Sequence, residues 1–99
     1  MTPNTHIIDT ANHNNYDLAL RAAATAKMDT RTDYRRTCCK CYHAEITAAT
    51  PEQDYILTLI ALATTAHPDQ DTYKKKLSKF TTGNYTTIEN FMDDIRQTA

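Results

Sequence analysis

The densest chemistry in the chain is the run Cys38-Cys39-Lys40-Cys41-Tyr42-His43, three thiols and an imidazole within six positions. On a helix, Cys39 and His43 would share a face, and Cys38 and Cys41 would form a second pair about a hundred degrees round. Zinc asks for four ligands in a tetrahedron, and its usual sites draw a second pair from another element. The other histidines, His6, His13 and His67, have no paired spacing. The plainer reading makes Cys38 and Cys41 small core residues and Cys39 a bystander, because free cysteine packs as a small hydrophobe. No metal and no cofactor are expected. Arg35, Arg36 and Lys40 would lower the pKa of an accessible Cys39, which is the condition for any nucleophilic or redox role. Three cysteines within four positions cannot build an ordinary disulfide framework, so the thiols read as reduced and the chain as cytoplasmic. In that compartment the Asn84-Tyr85-Thr86 sequon is incidental.

Basic residues invite a nucleic-acid reading at two places. Arg31, Arg35, Arg36 and Lys40 interleave with Tyr34 and Tyr42, and Lys74, Lys75, Lys76 and Lys79 crowd a later segment. The segments on either side of His67-Pro68-Asp69 would then form a helix-turn-helix with the lysine helix as reader. Against it, Asp69, Gln70 and Asp71 would meet phosphate first, and an isoelectric point near 6.4 gives little drive for counterion release. A DNA-binding regulator is the alternative reading. An enzyme is not expected: the acids Asp17, Asp33, Glu52, Asp54, Asp69, Asp71 and Glu89 fall where helices begin, and dipole and capping account for them without catalysis.

What remains is recognition by surface. Six tyrosines in ninety-nine residues exceed what a small core can bury with every hydroxyl satisfied. Tyr and Arg dominate the energetics of protein interfaces. Tyr34, Arg35, Arg36, Lys40 and Tyr42 therefore read as one partner-binding group, suited to an acidic protein patch. Asp69, Asp71, Asp93 and Asp94 read as a second, suited to a cleft that ordinarily holds nucleic acid. Charge is segmented along the chain, −4 over 46–73, +4 over 74–82 and −2 over 83–99, against a total of −1. Such blocks orient a partner without making the whole protein sticky.

The elements that must carry these groups read as helices. Tyr16 to Met28 has an Ala-rich centre, Asn14 or Asn15 as its cap and Asp17 in its first turn. Thr30 with Asp33 opens a second helix, which sets Tyr34, Cys38, Cys41 and Glu45 on one face and Arg36, Lys40, His43 and Thr47 on the other. Thr50-Pro51-Glu52-Gln53 is the clearest start signal, with a cap, a proline at the first helical position and a reaching-back glutamine. The helix it opens, to about Ala66, is apolar nearly all round, as a central helix should be. A fourth helix runs from about Asp69 to Phe80 with Tyr73, Leu77 and Phe80 as its stripe, and Gly83, the only glycine, should end it in a left-handed conformation. Thr86 and Glu89 open a fifth, with Ile88, Phe91, Met92 and Ile95 facing inward. Residues 1–13 lack periodicity and read as a flexible N-terminal arm, lightly docked through Ile7 and Ile8.

Composition agrees with a single small domain. Leu, Ile and Phe total fifteen residues, with no Val and no Trp, and thirteen alanines suit close-packed helices. One glycine excludes Gly-rich phosphate loops. No secretory signal is expected from the first residues, and the longest apolar run, Tyr55 to Ala63, is far short of the ~20 residues that a bilayer span requires. The fold expected is all-α, a compact bundle of four to five short helices over 14–99 with an arm over 1–13. The expected function is stoichiometric, non-enzymatic binding to a protein or nucleoprotein complex. A phage or mobile-element inhibitor of a host defence complex, of the anti-CRISPR kind, is a prior about short proteins of this sort rather than a reading of these residues. A light apolar core also leaves room for a homodimer.

Overall fold

The computed structural model describes residues 3–32 and 42–98. In chain order they form β1 (Asn4–Thr10), α1 (His13–Thr25), β2 (Asp29–Arg31), β3 (Tyr42–Ala48), α2 (Pro51–Thr64), α3 (Gln70–Thr82) and α4 (Ile88–Thr98). The three strands make one antiparallel sheet in the order β1-β3-β2. The fold is therefore mixed α/β, and the all-α bundle is overturned.

Two expectations fail together. The arm is strand β1, and the helix expected from Thr30 gives way to β2 at its start and β3 at its end, with residues 33–41 outside the described residues. Over 42–48, side chains alternate: Ala44, Ile46 and Ala48 are buried, and His43, Glu45 and Thr47 between them are only half-buried. That two-residue period marks a strand with one face on a core. In β1, four of seven residues are β-branched, and Ile8 is buried while Ile7 faces out. The pairing that fixes both strands runs from Asn4↔Ala48 to Thr10↔Tyr42. The partners are far apart in sequence, and tertiary pairing overrides the helical spacing read at His43, Glu45 and Thr47, while Tyr34, Cys38 and Cys41 lie outside the described residues.

The helices follow their start signals closely. Thr50 accepts the Gln53 N–H through its hydroxyl at 3.1 Å, with Pro51 at the first position. The Gln53 side chain accepts from the Ala49 N–H at 2.8 Å and donates to the Ala26 carbonyl at 3.0 Å, tying the end of α1 to the start of α2. The cap of α1 is Asn12, earlier than expected, accepting from the Asn15 N–H at 3.0 Å. The cap at α4 is Thr87, which accepts from the Asn90 N–H at 3.1 Å. Gly83 is extended (φ −78°) rather than left-handed. Its lack of a side chain serves a close approach instead: a Cβ there would collide with the Tyr85 ring and stand 2.9 Å from the Lys79 carbonyl.

Three layers result. The sheet forms the first, α1 and α2 lie across one of its faces, and α3 packs behind both helices. Alanines 19, 22, 23 and 26 are buried, and their small side chains let α1 sit close to its neighbours. α2 is the centre, with Ile56, Leu57, Leu59, Ile60 and Ala63 buried. α4 closes one end through Phe91, which is fully buried against Phe80, Tyr85 and Tyr55.

Candidate interaction surface

α1 and α2 cover only the face of the sheet that carries Ile8, Ala44, Ile46 and Ala48. No described helix packs on the other face, which presents Thr5, Ile7 and Asp9 from β1, His43, Glu45 and Thr47 from β3, and Asp29 and Arg31 from β2. Cross-strand neighbours there are matched. The Thr5 and Thr47 hydroxyls share a hydrogen bond at 3.1 Å, and His43 Nδ1 stands 3.7 Å from the Asp9 carboxylate. Arg31 lies opposite Glu45 in the register. Ile7 is 60% exposed, the large hydrophobic side chain most open to solvent among the described residues.

The two strand edges differ. β2 is a three-residue strand, exposed throughout and ending in Asp29 and Arg31. β1 is seven residues long, has no Lys, Pro or Gly within it, and nothing among the described residues pairs with its outer side.

One end of the sheet carries an aromatic group. Tyr42 stacks on Tyr16 (5.1 Å between centroids, 26° between planes) and meets His13 edge-on at 5.3 Å. The Tyr16 hydroxyl donates to the His43 carbonyl at 3.1 Å, which pins the start of α1 to β3. Tyr42 is thus half-buried in an internal contact. Tyr34, Arg35, Arg36 and Lys40 lie outside the described residues, as do Cys38, Cys39 and Cys41. They belong to the connection that leaves the sheet after β2 and re-enters it at Tyr42.

The chain matches no protein-family model, no curated protein and no solved structure.

The acidic group is not gathered into one patch. Asp69 precedes α3 without a side-chain capping bond, and Asp71 is exposed in its first turn. Asp94 sits by Lys79, ten residues and so about 15 Å along α3 from Asp69. Its carboxylate accepts from Lys79 Nζ at 2.9 Å and from the Tyr85 hydroxyl at 2.6 Å. Those two hydrogen bonds, Lys79 first, hold the Asp94 carboxyl below its ordinary range. The same contacts raise Lys79 and Tyr85 above theirs, mainly through the hydrogen bond to Asp94. Asp94 is a latch between α3 and α4, a role that segment charge did not reveal. Asp93 pairs with Arg96 at 3.1 Å, both exposed.

Lysines on α3 are also engaged locally. Lys79 holds Asp94, and Lys76 lies 5.6 Å from the Tyr73 ring centre. An open groove of about 350 Å³ between the start of α2 and α4 is lined by Glu52, Glu89, Asp93, Arg96, Met92 and Pro51. It holds carboxylates and a guanidinium but no nucleophile. Among the described residues, no three His, Cys, Asp or Glu side chains gather as a metal site would require. Among them too, no helix is long and apolar enough to cross a membrane.

Proposed function

We propose that this protein acts non-enzymatically, by stoichiometric docking on another protein through the sheet face on which no described helix packs. The observation that supports this reading most is the one-sided layering: every described helix that touches the sheet packs on the Ile8/Ala44/Ile46/Ala48 face. Antiparallel sheets need no helix on their second face, so a face that no described helix covers is permitted by the fold and is where a partner would dock. Residues 33–41, which lie between β2 and β3 in sequence, carry a formal +2, with Arg35, Arg36 and Lys40 against Asp33. With Tyr34 they supply residue types that anchor interfaces, and their charge suits an acidic protein patch. No residue of the chain singles out a host defence complex as the target, so the surface rather than a target is what is proposed.

Charge reversal separates the two groups of partner-binding residues. Arg35→Glu with Arg36→Glu should abolish capture of an identified partner that co-purifies in stoichiometric amount. Asp69→Lys with Asp71→Lys, on the far layer, should leave capture intact. Retention of the partner by the arginine variant, or loss with the aspartate variant alone, contradicts the proposal.

A further inference from the structure

Among the described residues, the outer side of β1 is the least protected edge of the sheet. Natural proteins blunt sheet edges with short strands, lysines, prolines or bulges, because unpaired N–H and C=O groups template another strand. β2 follows that rule by being three residues long and charged at both ends. β1 does not, with seven residues, four of them β-branched, and Asp9 as its one formal charge. A single exposed isoleucine means little by itself. Here Ile7 stands at the middle of the open edge, 60% exposed.

We infer that the occupant of this edge is a second copy of the chain, paired antiparallel through β1 about a two-fold axis at Ile7. The two sheets then join as one of six strands. The argument is self-complementarity. With the axis at Ile7, the outer face sets Ile7 against its own copy and places each Thr5 hydroxyl opposite the other copy's Asp9 carboxylate, which accepts from it. The inner face sets His6 opposite Ile8. The two Asp9 side chains end up at opposite ends of the seam.

Neighbouring registers are worse. An axis at Ile8 puts the exposed Ile7 against Asp9, an axis at His6 opposes two imidazoles, and an axis at Asp9 opposes two carboxylates, which like charges disfavour. A slip of a single residue would turn one copy's helical layer onto the other copy's open face. Only the Ile7 register matches apolar with apolar and donor with acceptor. The seam is narrow, so the dimer belongs to the weak, concentration-dependent class. The seam runs along the β1 edge and does not use β3 or β2, and therefore stands or falls separately from the docking proposed above.

Sedimentation velocity on the purified full chain over a wide concentration range tests it. The mass of the wild type should rise from 11.2 kDa toward twice that value as concentration increases. Ile7→Lys should stay monomeric with an unchanged circular dichroism spectrum, as should Ile7→Glu. An equimolar mixture of the two should recover the dimer, because each lysine then meets a glutamate across the axis. A wild type that stays at 11.2 kDa at the highest concentration overturns the inference, and so does a dimer that survives Ile7→Lys or a mixture of the variants that fails to associate. Ile7→Thr, which keeps the β-branch and drops the apolar contact, should weaken the dimer without abolishing it. Wild-type affinity in that variant would also count against an isoleucine pair at the axis.

Discussion

The two faces of β3 have opposite fates one residue apart. Ala44, Ile46 and Ala48 are sealed under α1 and α2, while His43, Glu45 and Thr47 look away from every described helix. The inner face is held by burial, a non-directional force that scales with the apolar area removed from water. The outer face is held by matched neighbours, Thr5 with Thr47 and Asp9 with His43, each of which contributes little. The difference teaches where stability resides: burial concentrates it on one side of the sheet, and the docking proposed above uses the other side.

The contrast breaks most visibly at Ile46. It is fully buried at the middle of the central strand. Ile46→Ala should lower the unfolding free energy in urea by about 2–5 kcal/mol. A cost near that of a surface change would mean that the inner face is not packed as described.

The covered side has one polar intruder. Asn15 is 5% exposed, and its side-chain oxygen has no hydrogen-bond partner among the described residues. An orphaned buried acceptor forfeits about 1–3 kcal/mol of desolvation. Asn15→Leu, close in volume, should therefore raise the melting temperature, and a fall would show that the amide is satisfied in solution.

The α3–α4 latch adds a pH signature. Asp94 titrates below its ordinary range when folded, so its stabilising effect is present at neutral pH and is lost as pH falls through that depressed value. Lys79 titrates above its ordinary range, so its contribution holds at neutral pH and disappears as pH rises through the raised value. Asp94→Asn should flatten both limbs of a plot of melting temperature against pH. Unchanged limbs would exclude the latch. The smallest effect belongs to the outer face: Thr5→Val should cost roughly 0.2–1 kcal/mol through the lost pair with Thr47.

Sequence showed the helices far better than the sheet. Thr50, Pro51 and Gln53 announce α2 with chemistry confined to four residues, and the apolar girdle from Ile56 to Ala63 announces its central place. The strands depend on a pairing between residues near 7 and near 45, which no window of local periodicity contains. Alternation at Tyr42, Ala44, Ile46 and Ala48 was the available signal, masked by the cysteines and tyrosines just upstream that also fit a helical face. The left-handed stop expected of Gly83 failed for a similar reason, since its need for space comes from Tyr85 folding back. Of the residues read from sequence as partner-binding, Tyr42 and Asp94 have internal contacts, which charge and residue type alone do not disclose.

Whether the sheet face without a described helix is the recognition surface is tested most directly at Thr47, which lies on the central strand between Thr5 and Asp29. Thr47→Arg projects a long cation outward at little cost to folding. Quantitative mass spectrometry of material co-purified from the native cell, wild type beside Thr47→Arg and Lys75→Glu, compares this face with α3. The account predicts a stoichiometric partner that is lost with Thr47→Arg and kept with Lys75→Glu. A partner kept by Thr47→Arg and lost with Lys75→Glu would place recognition on the helical layer and contradict it.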